Sequence, residues 1–391
     1  MPMDEAKFRE RASVMFGRPS SKSLLLKMRR GAMGGGNFGV FSCFDGCFGA
    51  LMGYPSNAAQ DSMQYSQPRP LDPLEPCTPW GKLSPERRSG IKHVEVASCA
   101  KESSQGWVNQ DATTACGPPG CDASAGDGDA AAGTTSDGSM IFCVFDGHGK
   151  YGHEVAAVAA DRLPSHLAAF PGGPLSSPKK ALEAAFRKTD DDIYSALGAR
   201  VEYSGSTGVV VLVDMVNRAL HIGNVGDSRA ILAQNSPDSK SPRWSALALT
   251  SDLTPDLPDE KERIELSGGC VMALEGDDGE DVGPARVWDS AAREKPGLAV
   301  SRSLGDGASR CLGVTAEPVV TKHLLRPQDR FMLIATDGLW DTLGNDQAVR
   351  MAAKYLDRNL HQVALKALFE AVRRGEGGQL VDDTTAILVS F

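Results

Sequence analysis

Short apolar runs, several of them rich in β-branched residues, recur through the carboxyl-terminal part of the chain and predict β-strands. Two of the runs are separated only by a short polar turn, which is typical of a β-hairpin. The runs are Met140–Phe145, Gly208–Asp214, Ala219–Val225, Arg330–Thr336 and Thr384–Phe391. The first and the fourth lead directly into an Asp-Gly pair, so two separate strands would each present an aspartate at one end.

Between these runs, apolar residues recur at the spacing of one helix face and predict helices. The predicted helices are Gly152–Phe170, Pro178–Leu197, Pro258–Leu266, Asp346–Leu356 and Leu360–Arg373. They come in groups between hairpin-connected strands, not one after each strand, which argues against a doubly wound parallel sheet. The pattern therefore predicts an α+β fold of antiparallel sheets with helices outside.

Two segments differ in composition from the rest of the chain. Residues 1–91 begin with a basic stretch, since Arg11–Phe44 contains six basic residues and no acid, and we expect a flexible, Gly-rich arm. Residues 113–138 are small and polar and predict a disordered insertion in a domain that spans 92–391. An alternative for the arm is a weak membrane tether, in which Cys43 and Cys47 carry lipid beside the basic stretch.

Composition narrows the class of protein. The 391 residues are 41% apolar and 23% charged, as in a soluble globular protein. The balance of 41 basic against 50 acidic residues gives 41 − 50 = −9, which disfavours nucleic acid as a partner. The nine cysteines follow no framework spacing and no typical signal peptide opens the sequence, so we expect reduced thiols and a cytoplasmic or nuclear location. A monomer is the default expectation.

Aspartates stand at the ends of several predicted strands. A single such residue is usually part of a turn, but a set of five points to a metal site assembled from distant parts of the chain. Hard oxygen ligands select Mg²⁺ or Mn²⁺ over zinc or copper. The candidates are Asp111, Asp146, Asp227, Asp337 and the pair Asp382-Asp383.

The order and spacing of the motifs that carry these aspartates resemble a known family. The motifs are NQDA (Asn109–Ala112), VFDGHGKYGHEVA (Val144–Ala156), GSTGVVV (Gly205–Val211), NVGDSRAIL (Asn224–Leu232), LTSDLTPDLPDEKERI (Leu249–Ile264), ARVW (Ala285–Trp288), GLAVSRSLGD (Gly297–Asp306), ATDGLWD (Ala335–Asp341) and DDTTAILV (Asp382–Val389). Over about residues 92–391 the chain resembles the metal-dependent Ser/Thr protein phosphatases of the protein phosphatase 2C family, in the branch common in plants and protists.

The resemblance implies a sandwich of two antiparallel sheets flanked by helices, with a centre of two Mg²⁺ or Mn²⁺ ions at one edge. By this resemblance Asp146 would bridge both ions and the Gly147 carbonyl would bind one of them. Asp337 and Asp382 would complete the other site. Asp111 would hold a metal-bound water.

Two further roles follow from the resemblance. Asp227 would belong to a weaker third ion, and His148 would be the general acid. Two cations about 3.5–4 Å apart lower the pKa of a bridging water and neutralise phosphoryl oxygens for in-line attack. A protonated imidazole at His148 would supply the proton that a serine or threonine alkoxide needs in order to leave. The implied activity is dephosphorylation of phosphoserine and phosphothreonine on proteins that serve in signalling.

The sequence departs from the family pattern beside Asp111. Many members have a glutamate where this chain has Gln110, and a basic residue for the substrate phosphate where this chain has Gln105-Gly106-Trp107. Lys101 is the nearest candidate for that phosphate-binding role. The departure leaves an alternative open, a weak or inactive pseudophosphatase that binds phosphoproteins. A metal-dependent nuclease fits the two-metal chemistry but not the net charge of −9.

Several other residues in the motifs have simpler structural interpretations. Arg229 and Arg302 are expected to form ion pairs that brace strand ends. Trp340 is expected to anchor the core. The hydroxyls of Ser206 and Thr207 are expected to cap backbone groups. Two aspartates, Asp306 and Asp341, are expected to be hydrogen-bonding loop residues near the site.

Overall fold

The structure is a computed structural model that describes residues 71, 78–79, 90–104, 106–117, 139–235, 243–276 and 279–391. In these residues the strands are β1 (Thr78–Pro79), β2 (His93–Cys99), β3 (Asp111–Gly117), β4 (Ser139–Gly149), β5 (Ser204–Ser206), β6 (Gly208–Asp214), β7 (Ala219–Val225), β8 (Arg229–Asn235), β9 (Trp244–Ala248), β10 (Cys270–Glu275), β11 (Asp281–Trp288), β12 (Pro296–Leu298), β13 (Leu304–Gly305), β14 (Val319–Leu324), β15 (Asp329–Ala335) and β16 (Thr384–Ser390). The helices are α1 (Gly152–Ala168), α2 (Pro178–Leu197), α3 (Pro258–Leu266), α4 (Gly307–Arg310), α5 (Asp337–Trp340), α6 (Asn345–Leu356) and α7 (His361–Gly375), with short 3₁₀ turns at Pro174–Ser176 and Gly198–Val201.

Two antiparallel sheets make up most of the fold. In the first sheet the strand order is β1-β3-β4-β6-β7-β14, with the short strands β5 and β13 attached beside β4. In the second sheet the order is β2-β16-β15-β8-β9. Apolar side chains from both sheets form one shared buried cluster, so the sheets pack face to face. The α+β sandwich predicted from the sequence is confirmed.

The middle of each central strand carries apolar residues on both faces because both faces are buried. On β4, Phe142 and Val144 point into the layer between the sheets, whereas Ile141 and Phe145 point to the other face and pack against α1 and α2. On the second sheet, β8, β15 and β16 divide in the same way, with their outer faces against α6 and α7. Helices therefore cover both outer faces of the sandwich.

Two predicted helices begin and end at the residues found in the structure. α2 starts with a proline at its first position, where the missing N–H would have had no partner inside the helix. It ends before Gly198, whose φ of 55° favours glycine. α3 also matches its predicted bounds and starts with a proline. The predicted strands Gly208–Asp214 and Ala219–Val225 also keep their bounds, as β6 and β7, and the other predicted helices and strands differ from the structure by a few residues at their ends.

The predicted bounds of the arm and of the insertion need correction. Thr78–Pro79 pairs with β3 and Ile91 is buried between the sheets, so parts of the predicted arm belong to the folded domain. Residues 113–117, expected within the insertion, form most of β3 because they pair with β4. Cys43, Cys47 and the basic stretch, like residues 118–138, lie outside the described residues.

A small third sheet, β10-β11-β12, shares no strand pairing with the two sheets of the sandwich. Arg293 forms ion pairs with Glu275 and Asp281, which are register partners on β10 and β11 at the turn end of the hairpin. Residues of β11 and β12 reach the cavity described below. In the described part of the chain, no helix has both the length and the apolar character required to cross a membrane.

Candidate metal centre

The sequence-predicted aspartates meet at one edge of the sandwich. Asp111 begins β3 and lies opposite Asp146 on β4, because the two are register partners. Asp337 follows β15, and Asp382 precedes β16, the neighbouring strand. Strand pairing within each sheet and the packing of the two sheets therefore bring together carboxylates that are up to 271 residues apart in sequence, as 382 − 111 = 271.

These residues surround a cavity of about 360 Å³. Asp111 does not line the cavity itself but lies behind Asp146. Among the predicted site residues that do line it are Lys101, Asp146, Gly147, His148, Asp227, Asp337 and Asp382. The cavity also has walls that the prediction did not include, among them Trp107, Tyr203, Arg286 and Asp306.

The carboxyl groups at this edge have strongly raised pKa values. Burial raises the pKa of Asp111 to about 7, that of Asp227 to about 8 and that of Asp337 to about 6. Burial also raises the pKa of Asp146, and the charges of Asp111 and Asp337 add to the rise. A hydrogen bond joins the carboxyl groups of Asp146 and Asp337. Ionised carboxylates at this edge thus repel one another, and nearby positive charges and hydrogen bonds do not offset the cost of burying them.

Such a cluster fits a cation. Asp111 accepts a hydrogen bond from the Thr336 hydroxyl at Oδ2, 3.1 Å away, while its Oδ1 is buried without a hydrogen-bond partner among the described residues. Oxygen ligands with unmet negative charge are what Mg²⁺ and Mn²⁺ require. In the same part of the chain, no three His, Cys, Asp or Glu side chains already stand as a closed ligand set. The fit therefore rests on the donor chemistry and the charge of the cavity.

His148 faces the cavity beside a carboxylate. Its Nε2–H donates to Asp306 Oδ2 at 2.8 Å. Burial alone would lower the pKa of His148, but the charge and hydrogen bond of Asp306, with the charges of Asp227 and Asp337, outweigh it and raise the pKa. The surroundings favour the protonated imidazole.

Asp306 is held in place by its backbone and by a glycine. Its φ of 52° is a left-handed conformation that aspartate tolerates better than most residues. The Asp306 N–H donates to the Ser204 carbonyl at 3.0 Å. A Cβ atom at Gly205 would overlap the Asp306 carboxylate, so glycine is required at 205 for the carboxylate to reach His148. The expectation that Asp306 forms hydrogen bonds near the site is confirmed.

The sequence model of the protein phosphatase 2C family matches residues 119–379. The chain belongs to the protein phosphatase 2C family. Among its relatives, "Probable protein phosphatase 2C 48" of Oryza sativa subsp. japonica is 34% identical over 323 residues, which are 76% of this chain and 83% of the relative. "Probable protein phosphatase 2C 72" of Arabidopsis thaliana is 39% identical over 218 residues, 53% of this chain and 62% of the relative.

Solved structures agree at the level of the fold. A serine-threonine phosphatase 2C from Toxoplasma gondii superposes with a TM-score of 0.61 at 21% identity, over 83% of this chain and all of that one. The resemblance to protein phosphatase 2C drawn from the motifs is confirmed, and so is the enzyme class, a metal-dependent protein-serine/threonine phosphatase.

Gln110 has a structural role that explains one departure from the family pattern. Its Nε2 donates to the Gly149 carbonyl at 2.8 Å, a hydrogen bond that an ionised glutamate could not make. The Gln110 carbonyl accepts from the Gly147 N–H at 3.2 Å. A Cβ atom at Gly147 would overlap the backbone of Gly152 and Gln110, so this turn of the protein phosphatase 2C site requires glycine.

The two adjacent aspartates before β16 have different surroundings. Asp382 is exposed at the cavity wall. Asp383 is 4% exposed and points away from the cavity, where it accepts hydrogen bonds from the backbone N–H groups of Lys101 and Gln110 and from the Trp107 indole. Of the predicted pair, only Asp382 is placed to hold an ion.

The residues expected to be structural are structural. Arg229 pairs with Asp252 through two hydrogen bonds, at 2.9 and 2.5 Å, and Arg302 pairs with Glu260. Trp340 is 5% exposed and donates its indole N–H to the Ala335 carbonyl. The hydroxyls of Ser206 and Thr207 bond to backbone groups, that of Thr207 by accepting from the Asp146 N–H.

The prediction missed Arg286 and Trp107 as cavity residues. Arg286 lies in the ARVW motif and Trp107 just before NQDA, but a single arginine or tryptophan in a strand or loop carries no signal for a cavity. Arg286 stands on β11 of the small sheet and donates to the Gly297 carbonyl at 2.7 Å. Only the packing of this sheet at the edge of the sandwich places it in the cavity wall.

Proposed function

We propose that the chain hydrolyses phosphoserine and phosphothreonine in signalling proteins with two Mg²⁺ or Mn²⁺ ions. The observation that carries the proposal is the set of carboxylates around one cavity, whose burial and mutual repulsion raise their pKa values. Asp146, the Gly147 carbonyl, Asp337 and Asp382 would hold the two ions. When bound, such ions activate a water molecule as the nucleophile and neutralise the phosphoryl oxygens.

Two further aspartates have supporting roles in this proposal. The buried Oδ1 of Asp111 is available to accept a hydrogen bond from a water molecule beside the ions. Asp227 also lines the cavity and would hold a weaker third ion. Because both carboxyl groups have raised pKa values, a nearby positive charge would favour their ionised forms.

His148 would act as the general acid. The Nε2–H of His148 donates a hydrogen bond to Asp306, and the protonated ring carries its second N–H at Nδ1. That N–H would donate its proton to the serine or threonine oxygen as the P–O bond breaks. Proton transfer of this kind typically contributes a factor of about 10²–10⁴ in rate. Asp306 is a positioning residue, because it orients the ring and stabilises its charge without touching the substrate.

Lys101 would bind the substrate phosphate. It lines the cavity together with Asp146 and Asp382, and an ammonium group is a suitable donor to phosphate oxygens. A positive charge on this wall counters the view that the chain lacks a phosphate-binding residue. The position of Lys101 in the cavity wall supports turnover over the pseudophosphatase alternative.

Phosphate release from a phosphothreonine peptide tests the proposal. The assay compares Mn²⁺, Mg²⁺ and EDTA for the wild-type chain, for Asp337→Asn, and for Asp256→Asn, an exposed carboxylate that serves as the matched control. We expect metal-dependent turnover that falls by about 1,000-fold in Asp337→Asn, since the ions supply several kcal/mol of transition-state stabilisation. Asp256→Asn should behave as the wild type. A folded wild-type chain that binds the peptide without turnover at any metal concentration would establish the pseudophosphatase instead.

A further inference from the structure

Both ends of the segment from Lys101 to Gln110 are hydrogen-bonded to the residues that precede β16. The Glu102 N–H donates to the Leu380 carbonyl at 2.8 Å. Asp383 binds both ends of the segment, because the Lys101 N–H donates to its Oδ1 and the Gln110 N–H to its Oδ2, each at 2.8 Å. Since Asp383 is 4% exposed, these hydrogen bonds are shielded from water and fix the path of the backbone.

Trp107 connects Asp383 to the Lys101 side chain. The indole N–H donates to both carboxylate oxygens of Asp383, at 3.1 and 3.0 Å. The ring then lies under the Lys101 ammonium, whose Nζ is 3.1 Å from the ring centroid. A cation over an aromatic face is attracted by the ring quadrupole. The Asp383 carboxylate therefore holds both the backbone of Lys101 and the Trp107 ring that lies under the Lys101 ammonium.

The Lys101 charge is presented to the cavity. Lys101 and Trp107 both line the cavity wall beside Asp382. The cation–π contact leaves the N–H groups on the far side of the ammonium free to donate to a ligand. Holding a long lysine side chain in advance reduces the entropy lost when a ligand binds.

We propose that Trp107 and Asp383 are positioning residues that hold Lys101 against the cavity wall as the group that binds the phosphate of the substrate. The inference rests on the proposed function and deepens it, because it names the residues that take the place of the basic side chain many family members have where this chain has Gln105-Gly106-Trp107. The ligand class is a phosphate monoester dianion, or the inorganic phosphate released from it. Trp107 acts through Lys101 and makes no contribution that is independent of the lysine.

Binding of inorganic phosphate, measured by titration calorimetry on the full chain in Mn²⁺, tests the inference without turnover. The variants are Lys101→Met, Trp107→Leu, Trp107→Phe and the double variant Lys101→Met/Trp107→Leu. The matched control is Lys295→Met, which removes another lysine that lies over an aromatic ring, 5.2 Å from the centroid of Tyr203. Thermal unfolding of each variant checks that it is folded.

We expect Lys101→Met to weaken phosphate binding about tenfold, the loss of one charge-assisted hydrogen bond. Trp107→Leu should weaken it at least about threefold, with Trp107→Phe between Trp107→Leu and the wild type. The double variant should be no weaker than Lys101→Met within about twofold, because residues that act as a unit are not additive. Lys295→Met should change the affinity less than twofold. The KM for a phosphothreonine peptide should rise in the same order, with a smaller change in kcat.

Three results would overturn the inference: unchanged phosphate affinity in Lys101→Met, unchanged affinity in Trp107→Leu, or additive losses in the double variant. These outcomes are distinct from failure of the proposed function. A wild-type chain that binds phosphate through Lys101 but releases none from a phosphopeptide would contradict the proposed activity and support the inference. Turnover that is insensitive to Lys101→Met would support the proposed activity and contradict the inference.

Discussion

Carboxylates withdrawn from bulk water occur in two different surroundings in this protein. Asp227 and Asp337 line the cavity and Asp111 lies next to Asp146 on the neighbouring strand, and burial raises the pKa values of Asp111, Asp227 and Asp337 to about 7, 8 and 6. Glu260, on α3, is also buried, which alone would raise its pKa. Hydrogen bonds from Arg263, Arg302 and Ser301 outweigh burial there and lower the pKa to about 2.

The sign of the neighbouring charges decides whether the pKa of a buried carboxyl group is raised or lowered in the two regions. Glu260 is 4% exposed, and both of its oxygens accept from guanidinium groups, so its charge is compensated and contributes to stability. The cavity carboxylates have few basic partners and repel one another. Such a group is costly to the folded state and is retained where a cation or a substrate can compensate it. The comparison assigns a structural role to the first region and a functional role to the second.

Removing the Glu260 charge should produce the largest effect on stability. Glu260→Gln leaves Arg263 and Arg302 without their shared partner, and breaking a buried ion pair from one side costs about 3 kcal/mol at the lower end of its usual range. Urea unfolding measures the change. Glu265→Gln on the same helix is the control, because its pair with Lys261 is exposed and should cost less than about 0.5 kcal/mol. Equal effects of the two variants would erase the contrast between buried and exposed pairs.

Asp306 lies between the two cases, since it is a buried carboxylate that faces one cation, His148. In Asp306→Asn the pKa of His148 should fall, because the charge that raises it is removed. Hydrolysis of a phosphothreonine peptide at neutral pH should then drop by about tenfold to 100-fold and recover partly at lower pH. Hydrolysis of p-nitrophenyl phosphate should change little, since its leaving group needs no proton. An equal loss on both substrates would contradict the role of His148 as a general acid.

The smallest expected effect is the pH dependence of stability in EDTA. The cavity carboxyl groups have folded-state pKa values above the ordinary value of 3.8, so the folded chain holds protons that the unfolded chain releases. Stability should therefore fall as pH rises from 5 to 8. Glu260 has the opposite sign, because its stabilisation is present above about pH 4.5 and is lost as pH falls towards 2.

Thermal unfolding at pH 5 and pH 8, with EDTA and with Mn²⁺, checks this expectation. Mn²⁺ binds ionised carboxylates, so it should stabilise the protein more at pH 8 than at pH 5 and reduce or reverse the slope. Asp337→Asn should flatten the slope in EDTA. A slope that rises from pH 5 to pH 8 without metal would show that the cavity carboxylates are compensated in the folded chain.

Much of the fold could be predicted because its signals are local. The runs Gly208–Asp214 and Ala219–Val225 coincide with β6 and β7, and α2 and α3 have their predicted bounds. β3 was missed in part because Thr113–Gly117 is short, polar and rich in small residues, and only its pairing with β4 makes it a strand. The same holds for Thr78–Pro79, which depends on pairing with β3.

In the candidate site, the residue types were predictable but their partners were not. Asp382 and Asp383 are indistinguishable by local sequence, yet one lines the cavity and the other anchors Trp107. The partner of His148 lies 158 residues away, and a glycine at 205 is what allows the two side chains to meet. Such pairings arise from strand register and packing, which a local pattern does not contain.

By itself, the sequence determined the class of fold, the family and the carboxylates that are candidates for metal binding, because hydrophobic periodicity and motif spacing are local properties of the sequence. Only the tertiary structure decided which side chains share the cavity, which aspartate turns inward and how Lys101 is held. The reason is physical. Burial and the charge of neighbours set the state of each ionisable group, and those neighbours are brought together by contacts between distant strands.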